Sequence, residues 1–363
     1  MRKLLKISSY LFFLLITVFF LCEIILRIWN PFEFRQGDNE VILPRNRKMI
    51  FTNSTIPGIG KKIIHTKNSL GFRGPEPPKN INDVTSIIAV GGSTTECFYI
   101  SDSMCWTNLL SNHLNKGSGK IWINNAGYQG HSTYGNFILI NDYIRHLHPD
   151  YVLLMEGMNE VNRTDIKDDE SILSSNNKTS TWGWIKRNSS VVSVIINIQR
   201  KLFADRLGVT DHYFDPAAMG SLTLPDNFID SSIRKQQPLV DAYSKRLQRI
   251  IDTCIAANIR PILITQPVLY GQEKDCLTGT DLSTVKITKG YNGKLFWLLL
   301  ELYNNKTRQI AKEKDIPLID LATEMPKCSR YFYDVCHFTN QGSMKVADII
   351  SRHMESRQLL PEP

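Results

Sequence analysis

Apolar and polar positions change rhythm four times along this 363-residue chain. The stretch from Tyr10 to Leu26 is apolar, with Glu23 as its one charge, and it follows a basic cap, Met1-Arg-Lys-Leu-Leu-Lys6. At about 17 residues it reaches the minimum length for a membrane-spanning helix. Residues 28–83 are rich in Pro, Asn, Gly and charge, the composition of a stem and irregular lead-in. From there short runs of β-branched and other apolar residues recur, at Ser86–Val90, Ile121–Asn124, Tyr151–Met155, Pro261–Thr265 and Pro317–Asp320. Segments long enough for helices separate them: Trp106–Leu114, Tyr134–Leu147, Pro238–Ala257 and Leu295–Lys314.

Strands that lack strict alternation are covered on both faces, and strands separated by helices run parallel. The pattern therefore predicts an α/β domain with a parallel sheet of about five strands covered on both faces. Its expected limits are 84–357, after an N-terminal anchor at 1–27 and the lead-in at 28–83. Residues 160–236 interrupt the rhythm with a polar stretch (Asp165 to Thr181), Trp182-Gly-Trp184 and a possible helix from Val191 to Leu207. This reads as an insertion beside the strand ends, where Trp182, Trp184, Tyr213 and Phe214 either pack the insertion or stack on a sugar or acyl chain.

Composition, 42% hydrophobic and 21% charged, is that of an ordinary globular protein and permits a sizeable core. The net charge of +8 is scattered rather than run together, and no zinc-finger spacing or RNA-binding string occurs. That pattern fits attraction to anionic surfaces and excludes nucleic acid as the expected partner. Positive charge ahead of the apolar stretch keeps the N-terminus cytoplasmic and sends the rest across. No small-x-small cleavage site follows, and bulky residues before Cys22 make a poor lipoprotein site, so an uncleaved signal anchor is expected. Six further cysteines (Cys97, Cys105, Cys254, Cys276, Cys328 and Cys336) are an even number, consistent with disulfides in an exported domain. None has C-x-x-C spacing, so no metal and no cofactor are expected.

The candidate chemistry sits at the ends of the strands. Ser86-Ile-Ile-Ala-Val-Gly-Gly-Ser93 brings a strand to a serine followed by helix-compatible residues, where unpaired N–H groups face developing negative charge. A serine hydroxyl is a weak nucleophile and needs a base. Asp334-Val-Cys-His337 supplies one: the carboxylate accepts from one ring nitrogen while the other takes the proton of Ser93. If Ser93 and His337 meet, a Cys97–Cys336 disulfide becomes an attractive clamp, since Cys97 lies one helical turn past Ser93 and Cys336 precedes His337. His131, His146 and His148 have no comparable context and are read as surface or structural residues. Gln266-Pro267, at the fourth strand end, is expected to shape the pocket.

These blocks resemble the SGNH (GDSL-like) hydrolase superfamily over residues 85–350. Gly91-Gly-Ser-Thr-Thr95 resembles its first block, Asn125-Ala-Gly-Tyr-Gln-Gly130 its second, Glu156-Gly-Met-Asn-Glu160 its third and Asp334-x-x-His337 its last. The resemblance implies a three-layer α/β/α, doubly wound flavodoxin-like form for the sheet. It also implies Ser93 as nucleophile and an oxyanion hole formed by the N–H groups of Ser93 and Gly127 and the side chain of Asn159. Two departures stand out: G-G-S where the family often has G-D-S, and Glu160 where it often has Asp. Asn68-Ser-Leu-Gly-Phe-Arg-Gly74 is similar to the lead-in of membrane-anchored or exported bacterial SGNH-like proteins.

The function expected is an extracytoplasmic, membrane-anchored serine esterase that removes or transfers O-acyl groups, such as acetyl, on cell-envelope glycans. The alternatives are a lipid-directed esterase or thioesterase of the same family, and a catalytically silent glycan-binding or assembly protein with the same fold.

Overall fold

The computed structural model describes residues 2–28, 43–116, 120–161 and 213–360, with Val41 and a few positions between Ser189 and Ile198. Trp182, Trp184 and the polar stretch from Asp165 to Thr181 lie outside the described residues, as does most of the helix expected at Val191–Leu207. The chain divides into two compact units, 1–44 with 170–210, and 45–169 with 211–363.

The first unit contains helix α1 (Arg2–Ile28), whose Lys6–Ile28 stretch is long and apolar enough to cross a membrane. Its large apolar side chains face outward; Phe13 is 70% exposed. Its acidic residue is satisfied within the unit, where Glu23 accepts from Arg27 Nε (2.8 Å), Ser190 N (2.9 Å) and Ser189 Oγ (2.9 Å).

The second unit is built on a five-stranded parallel sheet of β3 (Thr85–Gly91), β4 (Ile121–Asn125), β5 (Tyr151–Glu156), β6 (Arg260–Thr265) and β9 (Leu318–Ile319). The spatial order β4-β3-β5-β6-β9 is the flavodoxin-like order. All six residues of β5, and six of seven in β3, are buried, because helices cover both faces. Helices α3 (Trp106–Leu114) and α8 (Asn340–Ser356) pack together, and α5 (Asp226–Ala256) packs with both α4 (Thr133–Asp142) and α6 (Gly293–Glu313). Two short helices, α2 (Ser93–Glu96) and α7 (Leu321–Glu324), follow β3 and β9. A small hairpin, β7 (Lys286–Thr288) and β8 (Tyr291–Asn292), precedes α6.

Two features differ from the sequence reading. Helix α5 begins at Asp226, twelve residues before the expected start at Pro238. Proline favours a first turn, but here the upstream turns are anchored: Gln236 Nε2 donates to Tyr303 Oη (2.6 Å) and to Val161 O (3.1 Å). The lead-in is also more ordered than its composition suggests. It forms an antiparallel hairpin, β1 (Arg47–Thr52) with β2 (Lys62–Lys67), and then Arg73 pairs with Asn125 through both main-chain bonds (2.9 and 2.7 Å), covering the open edge of β4.

Candidate active site

The carboxyl ends of β3, β4 and β5 and the loop before α8 converge on Ser93. Two glycines deliver it there for steric reasons. A Cβ on Gly91 would lie 2.3 Å from Thr95 Oγ1 and 2.6 Å from Met155 O; one on Gly92 would lie 2.3 Å from Asn159 Nδ2. The Asn159 amide thus lies directly against the G-G-S turn, in the direction a Cβ at position 92 would take. Beyond the turn, α2 carries Ser93 at its first position, 8% exposed.

Ser93 Oγ stands 2.7 Å from His337 Nε2, and His337 Nδ1 stands 2.6 Å from Asp334 Oδ2. With an acceptor-only carboxylate at Nδ1, the ring carries its proton there, and Nε2 is free to accept from the serine hydroxyl. The other oxygen, Asp334 Oδ1, accepts from the main-chain N–H groups of Cys336 (2.9 Å) and His337 (2.7 Å), so the D-x-x-H spacing closes a tight turn on its own carboxylate. The Tyr333 ring lies parallel to the imidazole, 5.6 Å between centroids. Burial acts to lower the His337 pKa, but the Asp334 charge, with Cys336 acting in the same direction, raises it well above the ordinary histidine value.

The donors around Ser93 are only partly those expected. Asn159 is in place, its Nδ2 donating one hydrogen to His131 O (2.7 Å) and keeping the second. Gly127 requires a correction. Its N–H is already donated to Asn125 Oδ1 (2.9 Å), and the residue is wedged behind α2, where a Cβ would meet Glu96 N at 2.4 Å. Three residues on, Gly130 has φ +77°, borders open space and has an N–H without a partner among the described residues. The Ser93 N–H is likewise unpartnered among the described residues. The loop is held by Glu96, whose Oε2 accepts from Gln129 N at 2.7 Å. The G-x-x-G pattern of the second block offered both glycines; only the fold distinguishes them.

Several of the other residues singled out are structural. His131 is buried, with Nδ1 3.0 Å from Asn136 Oδ1. Gln266 Oε1 accepts from Thr94 Oγ1 (3.0 Å), bracing α2 from the end of β6. Tyr213 is 44% exposed, while Phe214 joins the loop bearing Asp334 by donating its N–H to Tyr333 O (3.0 Å). The expected Cys97–Cys336 disulfide is absent; both are free thiols, and Cys276 pairs with Cys328 instead. Cys97 is turned inward under α2, its Sγ on Thr94 O (3.2 Å), whereas Cys336 Sγ lies 3.8 Å from His337 Nδ1.

The sequence reading missed the polar support beneath the turn. Arg73, buried in the lead-in, donates to Glu96 O (2.6 Å), Cys97 O (2.7 Å) and Ile100 O (2.7 Å), taking up carbonyls at and beyond the end of α2. Its guanidinium also pairs with Asp102 (2.7 Å). The N-S-L-G-F-R-G string was the available signal, but nothing in it specifies a partner more than twenty residues away. Among the described residues, two groups have metal-ligand atoms within 4.8 Å of one another: Asp334, Cys336 and His337, and Asp275, Cys276 and Cys328. In the first, Asp334 and Ser93 already engage the two histidine nitrogens, and in the second the sulfurs are joined in a disulfide.

A family model described as GDSL-like Lipase/Acylhydrolase matches residues 89–344, more than two thirds of the chain. No curated protein matches the sequence. Solved structures similar to this chain include an acetyl xylan esterase, AlAXEase, at 17% identity, covering 73% of this chain and 97% of that one with a TM-score of 0.41. An acetylxylan esterase from Geobacillus stearothermophilus is 13% identical, covering 74% and 94% with a TM-score of 0.43. The psychrotrophic esterase EstA from Pseudoalteromonas sp. is 10% identical, covering 76% and 100% with a TM-score of 0.42.

Proposed function

Because this chain belongs to the GDSL-like lipase/acylhydrolase family, and so is an ester-hydrolysing enzyme, we propose that Ser93 is its nucleophile, His337 its general base and Asp334 the carboxylate that orients the base. The observation that carries the reading is the continuous contact Ser93–His337–Asp334, at 2.7 and 2.6 Å. As Ser93 Oγ attacks the ester carbonyl carbon, its proton passes to His337 Nε2, and Asp334 stabilises the imidazolium that forms. The carbonyl oxygen becomes an oxyanion, met by the N–H groups of Ser93 and Gly130 and the remaining N–H of Asn159 Nδ2. His337 then protonates the departing alkoxide, leaving an acyl-serine. Water, deprotonated by the same histidine, releases the acid; an acceptor hydroxyl in its place gives acyl transfer.

The finer assignment is an extracytoplasmic, membrane-tethered enzyme acting on O-acyl groups, acetyl foremost, of cell-envelope glycans. Helix α1 with its basic cap supports a tether with the catalytic unit outside. The Cys276–Cys328 disulfide suits an oxidising compartment. The net charge of +8 favours anionic envelope polymers. The test uses the full-length chain in detergent, with p-nitrophenyl acetate and longer acyl esters, beside Ser93→Ala and His337→Ala. Expected is loss of turnover in both variants, loss of fluorophosphonate labelling in the first, and preference for acetyl with release of acetate from envelope polysaccharide. Undiminished turnover in Ser93→Ala overturns the nucleophile, and preference for long acyl chains overturns the glycan assignment.

A further inference from the structure

Glu160 stands where the family often has aspartate, and its carboxylate is enclosed. It is 1% exposed and follows Asn159 on a single 3₁₀ turn, Met158–Glu160. Glu160 Oε1 accepts from the N–H of Thr133 (2.7 Å) and from its hydroxyl (2.6 Å). Glu160 Oε2 accepts from Arg246 Nη2 (2.7 Å), and Arg246 Nε donates to Thr133 Oγ1 (2.6 Å). The guanidinium fork of α5 therefore grips Glu160 with one arm and Thr133 with the other. Both side chains are nearly fully buried and joined by short, charge-assisted bonds. Thr133 opens the ten-residue helix α4, so the carboxylate also lies at a helix N-terminus, where negative charge is favoured.

The loop that leads into Thr133 carries the other half of the oxyanion hole. His131 O accepts from Asn159 Nδ2, and Gly130 immediately precedes it. Adjacent residues of one turn, Asn159 and Glu160, are thus bonded to His131 and Thr133 of the facing loop. The main chain of the Glu160 turn is secured separately, by Tyr303 Oη donating to Glu160 O (3.1 Å) and by Gln236. The carboxylate is not what keeps that turn folded; what it adds is the tie across to the loop of Gly130.

We infer that Glu160, gripped by Arg246, is a positioning residue that fixes Asn159 and the Gly130 loop in the relative placement an oxyanion requires, an inference that rests on the proposed roles of Ser93, Gly130 and Asn159. Glutamate is needed for its length. Aspartate is shorter by one carbon–carbon bond, about 1.5 Å, and would draw the carboxylate out of hydrogen-bond range of Thr133 or of Arg246. A second brace runs alongside: Asn136 Nδ2 donates to Glu156 Oε1 (2.6 Å), and its Oδ1 faces His131 Nδ1. Burial, with the charge of Glu160 adding to it, raises the Glu156 pKa well above its ordinary value.

The test compares the full-length enzyme with Glu160→Asp, Glu160→Gln combined with Arg246→Met, and Asn159→Ala, on p-nitrophenyl acetate. Active sites are counted by fluorophosphonate titration, so unfolded protein does not enter kcat. Glu160→Asp is expected to lower kcat per titrated site by about tenfold or more, with KM within about twofold, since a misplaced catalytic group costs up to about 100-fold. The neutral double variant, which leaves no buried charge unpaired, is expected to lose a similar factor even if Glu160→Asp does not fold. In an Asn159→Ala background the same changes should add little. Wild-type kcat in both Glu160 variants overturns the inference, as does an equal loss with and without Asn159. Ser93→Ala separates the two levels: if it is inactive while the Glu160 variants keep full kcat, only the positioning role fails; if it is active, the underlying site assignment fails.

Discussion

Gly92→Ala tests the oxyanion geometry without removing any functional group. Gly92 has a negative φ, −85° with ψ −150°, and the added methyl is aimed at the atoms of the oxyanion site. It would stand 2.3 Å from Asn159 Nδ2 and 3.2 Å from His131 O. Ordinary contact begins near 3.4 Å, so the amide must retreat by about 1.1 Å, the difference between 3.4 and 2.3 Å. Its bond to His131 O, now 2.7 Å, does not survive a displacement of that size in most directions. Loss of one oxyanion donor costs about 100- to 1,000-fold in kcat, roughly 3–4 kcal/mol. We expect Gly92→Ala to lower kcat on p-nitrophenyl acetate by about 100-fold with KM little changed, and to lose almost nothing more when Asn159→Ala is added. Gly290→Ala, where a Cβ meets nothing within 4 Å, is the control and should behave as wild type. A Gly92→Ala enzyme within about threefold of wild-type kcat, well short of the loss of a donor, would refute the placement of Asn159 beside the reacting oxygen.

Other consequences are equally concrete. His337 works as a base only when neutral and its pKa is raised well above the ordinary histidine value, so kcat/KM should climb with pH through a limb lying above about 6.5. Asp334→Asn removes the main cause of that rise; the limb should move to lower pH while kcat falls by about 10⁴-fold, and an unmoved limb in the pH–rate profile would contradict the pairing. The Cys276–Cys328 disulfide closes a loop with a sequence separation of 52, so Cys328→Ser should cost about 4 kcal/mol in urea unfolding. Reductant should destabilise the wild type and leave that variant unmoved. Arg73→Met leaves three buried carbonyls without their donor, while Asp102 keeps its bonds from Thr66; a loss of about 3 kcal/mol is expected by denaturation, and a change below about 1 kcal/mol would contradict the supporting role of Arg73.

Much of the architecture was legible because its causes are local. Runs such as Ser-Ile-Ile-Ala-Val and Tyr-Val-Leu-Leu-Met can be satisfied only by burial on both faces, and each lies within a residue or two of its strand. The serine turn and the D-x-x-H turn close within a few residues, so their chemistry is written in adjacent letters. Sequence alone starts helix α5 too late because Pro238 is a valid first-turn residue, and only Gln236 reaching Val161 and Tyr303 shows that the helix is already under way. The lead-in was under-read for a similar reason: its composition is that of a loop, while its order comes from pairing with Asn125 and from a guanidinium that finds the carbonyls past Ser93.

By itself, then, the sequence determined the order of strands and helices, the parallel α/β class, and the four blocks that bring a serine, two glycine-bearing loops, an asparagine and a histidine to one edge of a sheet. These follow from apolar periodicity and short turns, which depend on neighbours in the chain. Tertiary structure alone decided which cysteines are joined, which carbonyls Arg73 reaches, what lies against position 92, and what the unusual Glu160 holds. Each of those depends on atoms brought together from distant parts of the chain, across 244 residues for Ser93 and His337 and 86 for Glu160 and Arg246. No local pattern encodes the distance between them; close packing of helices on the sheet sets it.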